Sequence, residues 1–134
     1  MDVTEKIKVG LTREEHGISD EAHSARALGS GSLPVLGTPA MTALMEQAAA
    51  NALEELLPDG WTSVGISLNI AHTSATPLGM AFRAEAEVTA VEGRKIRFAV
   101  RAYDEAGEIG SGTHERFAVE SEPFLAKAEK KSKK

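Results

Sequence analysis

The sequence predicts an α+β fold in which one long central helix is wrapped by an antiparallel sheet. A nearly all-apolar stretch with helical periodicity runs from residue 38 to about residue 57. Four strand-like stretches follow it, and the links between them are only a few residues long. The 134 residues, 42% hydrophobic and 26% charged, suit one domain with one core, and we expect no second domain.

The helix has a recognisable beginning, end and apolar face. Pro39 stands at the first helical position, where its missing N–H costs nothing, and the Thr38 hydroxyl is free to cap an unpaired amide. The turn residues Pro-Asp-Gly at 58–60 end it. Glu46 lies at the edge of the apolar face, so it should border the core. The central stripe of that face consists of Met41, Leu44, Met45, Ala48, Ala52 and Leu56.

Alternating polarity and turn residues indicate where the strands lie. The stretches after the helix are residues 61–73, 79–91, 95–104 and 108–119. Because short links join them, we expect consecutive strands to pair as an antiparallel meander. Residues 5–11 alternate in the same way and predict a first strand, and residues 22–28 predict a further short strand.

One apolar helix covered by a single antiparallel sheet is the arrangement of the hot-dog fold. We expect one such domain over residues 1–126, followed by a flexible, Lys-rich C-terminal tail over residues 127–134. A sheet of this length with one helix leaves a strand edge and an apolar rim uncovered. We therefore expect a homodimer that continues the sheet.

Charge and composition argue against several classes of protein. The net charge is −5, but the tail holds five of the 15 basic residues, so residues 1–126 carry 10 basic and 19 acidic side chains. An acidic body without a recognisable nucleic-acid-binding motif argues against DNA or RNA as a partner. The N-terminus lacks a signal-peptide pattern, and no apolar run approaches the roughly 20 residues of a membrane span. With no cysteine for disulfides, we expect a cytoplasmic protein.

Metal sites and common nucleotide-binding motifs are not expected. The chain has no HExxH pattern, no GxxxxGK, no GxGxxG after a strand and no GxSxG elbow. Arg94 and Lys95 are best explained as part of a hairpin turn, and the alternative is that they grip a cofactor's phosphates. No histidine shows the close spacing of metal ligands; the four are His16, His23, His72 and His114.

Glu46 is the one formally charged side chain between residues 27 and 53. An ionised carboxylate among apolar side chains is costly unless it has a partner. His72 ends the apolar row of the strand at 61–73, and a carboxylate and an imidazole at the same core edge can pair. We expect Glu46 to pair with His72, with Thr38 adding a hydroxyl near the polarised first amides of the helix. The alternatives are a structural His72 and a plain N-cap Thr38.

Arg116, in the last predicted strand, shares a face with His114. A guanidinium can bind a phosphate or a carboxylate through two parallel hydrogen bonds. The alternative is a solvated side chain, or one paired with a neighbouring acid such as Glu115 or Glu120.

Four short segments taken together resemble the fluoroacetyl-CoA thioesterase-like family of hot-dog proteins. The match runs from about Leu33 to Phe124, and the Thr, Glu, His and Arg occur in the family's order and spacing. The segments are TPAMTALME from Thr38, TSVG from Thr62, Ala71-His72, and GTHER from Gly112.

The resemblance implies a thioesterase-like domain that hydrolyses the thioester of a small acyl-CoA to free acid and CoA. Thr38, Glu46 and His72 match the family's catalytic residues, and Gly65 and Arg116 match positions that line the substrate site. We expect no cofactor apart from the CoA that is part of the substrate, and no metal. Either water attacks the thioester directly or an acyl-Glu46 intermediate forms.

One segment departs from the family's pattern. The fluoroacetate-resistance enzyme has an aromatic lid over its acyl pocket, whereas residues 26–37 here contain no Phe, Tyr or Trp. This predicts a more open entrance and a different acyl group. Two alternatives to the enzyme remain: a non-catalytic acyl-CoA or small-metabolite binding protein on the same scaffold, and a structural dimer module in which Glu46 is a paired buried charge.

Overall fold

The computed structural model describes residues 2–132 as one five-stranded antiparallel sheet around one long helix. The strands are β1 (Thr12–Ile18), β2 (Trp61–His72), β3 (Ala81–Glu92), β4 (Lys95–Asp104) and β5 (Gly107–Glu120). The helices are the short α1 (Ala25–Leu28), the central α2 (Thr38–Glu54) and the C-terminal α3 (Ser121–Glu129), with 3₁₀ turns at Glu21–His23 and Lys130–Ser132. The predicted α+β architecture is confirmed.

The strands lie in the order β1-β3-β4-β5-β2. The predicted meander is correct for β3, β4 and β5, but the prediction that β2 pairs with β3 is wrong, because β2 pairs with β5 at the far edge. The link from β2 to β3 crosses the open end of the curled sheet. There the Thr73 amide donates to the Ile109 carbonyl (2.8 Å), and the Leu36 amide donates to the Thr76 carbonyl (2.8 Å).

The concave face of the sheet packs on α2. Small alanines on both sides allow close approach, and burial of each large side chain such as Phe98 contributes about 1.5–3 kcal/mol. Leu44 and Leu56, predicted for the central stripe, are only partly buried. The buried residues of α2 are Ala40, Met41, Met45, Ala48, Ala49, Ala52 and Leu53. Those of β3 and β4 alternate as Phe82, Ala84, Ala86 and Val88, and as Ile96, Phe98, Val100 and Ala102.

The first predicted strand, at residues 5–11, is wrong. Val3 and Ile7 are buried in the core, and the Thr4 hydroxyl donates to the Gly93 carbonyl (2.7 Å). These apolar side chains cover one end of the sheet, but the backbone that carries them forms turns and not a strand. The strand β1 begins only at Thr12.

The short strand predicted over residues 22–28 is also wrong. Asp20 accepts a hydrogen bond from the His23 amide (3.1 Å) and begins the first 3₁₀ turn. Ser24 accepts from the Ala27 amide (3.1 Å) and begins α1. Asp and Ser at these positions satisfy free helical amides, so the segment forms helical turns.

The two edges of the sheet are β1 and β2. On β2, Ile66 and Leu68 remain 50% and 39% exposed. Within residues 2–132, no helix is both long and apolar enough to cross a bilayer. The boundary proposed at residue 127 falls inside α3, which has no buried residue. Lys133 and Lys134 lie outside the described residues, so the flexible tail stays a prediction.

Candidate active site

A hydroxyl–imidazole pair forms where α2 begins and β2 ends. Gly37 is the N-cap residue and has no side chain with which to cap, and Thr38 is the first helical residue. Oγ1 of Thr38 lies 2.8 Å from Nδ1 of His72. The expectation that the Thr38 hydroxyl caps the helix is therefore wrong, because that hydroxyl binds the imidazole instead.

Gly37 fixes the entry to this pair by allowing α1 to pack on the start of α2. A Cβ at Gly37 would lie 3.2 Å from the backbone of Ala25. The Gly37 amide donates to the His23 carbonyl (2.9 Å), and the Ala25 amide donates to the Val35 carbonyl (2.8 Å). Backbone hydrogen bonds thus hold both ends of the segment from Ala25 to Gly37. The entrance to the site is therefore built from backbone contacts.

His72 is partly buried, and its Nε2 has no hydrogen-bond partner among the described residues. Burial lowers the pKa of His72 although the nearby Ser74 backbone acts against this shift, so the imidazole is neutral at neutral pH. A neutral imidazole can accept or donate one proton, depending on its tautomer. The pair opens on a cavity of about 300 Å³, which is lined by Ala25, Ser30, Val35, Leu36, Thr38, His72, Thr73, Ser74 and Ala75.

Glu46 lies in a second polar cluster, further along α2. Its side chain is 44% exposed, and its Oε2 lies 4.0 Å from Nη1 of Arg116. Gly65 on β2 allows this approach, since a Cβ there would lie 3.0 Å from Oε2 of Glu46 and 3.2 Å from Cε1 of His114. Gly65 therefore contributes to this cluster through the absence of a side chain.

Arg116 is buried and held on three sides. Its Nε donates to Oγ of Ser63 (2.8 Å), its Nη2 donates to the Ser63 carbonyl (2.9 Å), and its Nη1 donates to Nε2 of His114 (3.2 Å). The alternative in which Arg116 pairs with the adjacent Glu115 is wrong, because Glu115 binds Arg97 (2.8 Å) instead. Arg116 thus presents a fixed positive charge beside Glu46.

The two clusters are separate within one chain. Thr38 and Glu46 are eight residues apart in α2, which corresponds to about 12 Å along the helix axis. Among residues 2–132, the one ion-pair partner of Glu46 is Arg116, and His72 is bonded to Thr38. The predicted contact between Glu46 and His72 is therefore not formed in the single chain.

Sequence reasoning missed the roles of Ser63 and His114. The spacing of two residues does put His114 and Arg116 on one strand face. No local sequence pattern connects Ser63 with Arg116. The two residues meet only because β2 pairs with β5, and the predicted meander did not contain that pairing.

Other groups considered from the sequence lie elsewhere. No three His, Asp or Glu side chains within residues 2–132 come together as a metal site would require. Arg94 lies over the Trp61 ring, 4.7 Å from its centroid, and Gly93 has the positive φ of 65° that a tight turn favours. The hairpin turn is confirmed, and a role of Arg94 or Lys95 in gripping phosphates stays a prediction.

Comparison with known proteins identifies the family. The family model described as fluoroacetyl-CoA-specific thioesterase matches residues 19–122. The fluoroacetyl-CoA thioesterase of Streptantibioticus cattleyicolor is 42% identical over 98 residues, which cover 73% of this chain and 70% of that protein. A solved structure of the fluoroacetyl-CoA thioesterase FlK matches with a TM-score of 0.87 at 35% identity, over 93% of this chain and 97% of that one.

A more distant structure supports the fold alone. The hot-dog-like protein from Thermanaerovibrio acidaminovorans has a TM-score of 0.88 at 24% identity, over 98% of this chain and 97% of that one. The chain therefore has the predicted hot-dog fold and belongs to the fluoroacetyl-CoA-specific thioesterase family.

Proposed function

We propose that this protein hydrolyses the thioester of a small acyl-CoA to free acid and CoA, with Thr38, His72 and Glu46 as catalytic residues. The observation that carries the proposal is the 2.8 Å pair between Thr38 and His72, which opens on a cavity of about 300 Å³. The family supports the reaction class, because its named relative is a fluoroacetyl-CoA thioesterase.

The chemistry follows from the two groups and the helix end. A neutral imidazole is the form that can take a proton, and burial favours that form of His72. The positive end of α2 beside Thr38 favours the negative charge that develops on the thioester oxygen. By direct attack of water or through an acyl-Glu46 anhydride, one water is consumed, the C–S bond breaks, and the sulfur of CoA takes up a proton as the free acid forms. The reaction needs no cofactor besides the CoA of the substrate.

We place Glu46 of one protomer in the site of the other, in a homodimer formed by two β2 edges. Residues 65–69 of β2 are all exposed. When a two-fold axis relates two antiparallel strands, facing residue numbers have a constant sum. Such an axis passes through one residue, which faces its own copy. With the axis at Asn69, Ser67 faces the partner's Ala71, and because Ile66 is the extra residue where β2 shifts its register, Gly65 comes opposite the partner's His72. Because Glu46 lies beside Gly65 and Thr38 beside His72, this pairing would join the two clusters.

The first test is release of free CoA from a panel of short acyl-CoAs. We expect Thr38→Ala, Glu46→Gln and His72→Ala each to lower kcat by about 100-fold or more, the usual effect of removing a catalytic group. Rates equal to wild type in all three variants would contradict the proposal. Tight binding of CoA esters without turnover by the wild-type protein would favour the non-catalytic binding protein instead.

The panel also tests the acyl group. Residues 26–37 contain no aromatic side chain, and the cavity beside Thr38 includes the small residues Ala25, Ser30 and Ala75. We propose a more open entrance than in the fluoroacetate-resistance enzyme, and therefore turnover of acetyl-CoA and larger short acyl-CoAs without preference for fluoroacetyl-CoA. A preference of about 100-fold or more for fluoroacetyl-CoA would contradict this.

Mixing two inactive variants tests whether Glu46 acts across the dimer. Thr38→Ala and Glu46→Gln proteins, unfolded together and refolded, should recover about a quarter of wild-type activity. Half of the dimers are then mixed, and each mixed dimer holds one site with both groups intact. If Glu46 acts within its own chain, every site carries one substitution and no activity returns.

Single-turnover hydrolysis in ¹⁸O-water tests for an acyl-Glu46 intermediate. Direct attack by water puts the label into the product acid alone, as does opening of an acyl-Glu46 anhydride at the acyl carbon, whereas opening at the Glu46 carbon leaves the label on that side chain. Label in the peptide that contains Glu46, measured by mass spectrometry, would therefore establish the anhydride.

A further inference from the structure

His114 is a buried imidazole with both ring nitrogens engaged. It is 1% exposed and stacks on Phe98, with the ring centroids 6.2 Å apart. Nδ1 lies 2.8 Å from the Ser67 carbonyl, and since a carbonyl only accepts, Nδ1 carries the proton. Nε2 therefore has a free lone pair, and Nη1 of Arg116 donates to it over 3.2 Å.

This arrangement requires a neutral His114. With a proton on Nε2, His114 and Arg116 would face each other as two hydrogen-bond donors and as two positive charges. In the protein interior such a contact costs free energy. Burial lowers the pKa of His114, and the charge of Arg116 acts in the same direction, while the hydrogen bond to the Ser67 carbonyl and the charges of Glu46 and Glu115 act against it. His114 is thus an acceptor with one fixed tautomer, and the described residue that uses this acceptor is Arg116.

Arg116 connects His114 to the carboxylate. The Nη1 atom that His114 accepts from is the same atom that lies 4.0 Å from Oε2 of Glu46. Ser63 holds the other side of the guanidinium through Nε and Nη2, so His114 fixes the end that faces Glu46. Gly65 faces Arg116 directly across β2 and β5 and leaves the room for all three side chains.

We propose that His114 is a positioning residue which, by accepting a hydrogen bond from Nη1, holds the Arg116 guanidinium against the carboxylate of Glu46. The proposal rests on the proposed function in so far as Glu46 is catalytic. It assigns His114 no contact with the substrate. The competing explanation is structural: the bond from Nδ1 to Ser67 secures β2 where its register with β5 shifts, between Gly65 and Ser67.

Two substitutions separate these explanations, because each keeps one of the two hydrogen bonds. In His114→Asn the side-chain amide can still donate to the Ser67 carbonyl, but the acceptor for Arg116 is lost. In His114→Gln the longer side chain can bring its oxygen to the position of Nε2 and keep that acceptor. His16→Asn is the matched control, since the His16 side chain is 70% exposed and lies on β1.

The first readout does not depend on catalysis. In the ¹⁵N NMR spectrum of the wild type, His114 should be protonated at Nδ1 and unprotonated at Nε2. The Arg116 side-chain N–H signals should exchange slowly with water in the wild type and in His114→Gln, and markedly faster in His114→Asn. A proton on Nε2, or equal protection of Arg116 in both variants, would overturn the proposal even if the protein had no thioesterase activity.

The second readout is kinetic. We expect kcat to fall about tenfold in His114→Asn with KM changed less than about twofold, the effect of losing one hydrogen bond to a charged group. His114→Gln should recover most of the lost kcat, and His16→Asn should match the wild type. Loss of activity and of melting temperature in His114→Gln, with His114→Asn unaffected, would instead support the structural explanation and overturn ours.

Discussion

At the scale of single residues, two histidines are kept neutral by burial, which ties stability to pH. Burial lowers the pKa of both His72 and His114 below the usual 6.5. Below pH 6.5, His72 and His114 bind protons in the unfolded chain but remain unprotonated in the folded one. The free energy of unfolding therefore falls as pH falls below this value. The free energy of unfolding should therefore begin to decrease below about pH 6.5, before most carboxylates titrate.

Urea unfolding at several pH values from about 7.5 to about 5.5 measures the slope of the free energy of unfolding against pH. His114→Gln, which has no imidazole at this position, should have a shallower slope than the wild type. An unchanged slope in His114→Gln would show that burial of this imidazole does not contribute.

Gly65 provides a second prediction at this scale. In Gly65→Ala, the new Cβ would lie 3.0 Å from Oε2 of Glu46 and 3.2 Å from Cε1 of His114. Both groups must move, so we expect kcat to fall about tenfold or more, with a loss of stability of about 1–3 kcal/mol. Steady-state CoA release and urea unfolding measure the two effects.

The control for Gly65→Ala is Gly17→Ala on β1, whose new Cβ would lie 3.0 Å from the Phe82 ring. If Gly17→Ala lowers kcat as much as Gly65→Ala does, crowding of Glu46 and His114 is not the cause.

At the scale of elements, the parts of the fold with a strong local pattern could be predicted. The long helix was expected from residue 38 and begins there, and β4 has the predicted bounds, because hydrophobic periodicity and turn residues act over short distances. The N-terminal strands were wrong for the same reason. Ile7, Val9 and Leu11 alternate like strand residues, but Ile7 is buried against a core that only the whole chain forms, and Val9 is 65% exposed.

The short helix α1 depends on its capping residue. The buried Ser24 hydroxyl accepts from the Ala27 amide (3.1 Å) and donates to the Glu21 carbonyl (2.7 Å). Ser24→Ala should therefore cost about 1 kcal/mol in urea unfolding. Because Ala25 lines the cavity beside Thr38, we also expect KM for acyl-CoA to rise.

Ser121→Ala is the control for this substitution. Ser121 also begins a helix, α3, but that helix has no side-chain cap hydrogen bond and no buried residue. The free energy of unfolding of Ser121→Ala should stay within about 0.5 kcal/mol of wild type, and the KM of this variant should not change. Equal losses in the two variants would mean that Ser24 stabilises the chain in some way other than capping.

At the scale of the whole molecule, the site could be predicted only in part. Thr38 and His72 do meet, because the helix start and the strand end both lie at the rim of the core. Strand parity and the helical wheel say which face a residue occupies, but not how far along the axis it lies. The two helical turns from Thr38 to Glu46 separate these residues by about 12 Å along the axis, although both border the core. The pairing of β2 with β5 is a long-range contact that no local pattern contains.

The exposed edge of β2 is the surface through which the proposed homodimer would form. If two β2 edges join in the homodimer, then Ile66 and Leu68, which are 50% and 39% exposed, lie in the contact. The double substitution Ile66→Lys and Leu68→Lys brings like charges together across the two-fold axis, so the protein should become monomeric. Activity should be lost at the same time, because Glu46 would no longer reach the partner's His72.

Light scattering after size exclusion measures the mass, and CoA release from acetyl-CoA measures activity on the same sample. Ile18→Lys is the matched control, since Ile18 is 54% exposed on β1, the opposite edge of the sheet, and should leave both mass and activity unchanged. Circular dichroism establishes that the double variant is folded. A folded monomer that still turns over acetyl-CoA at the wild-type rate would mean that one chain holds a complete site, and that Glu46 acts without its partner.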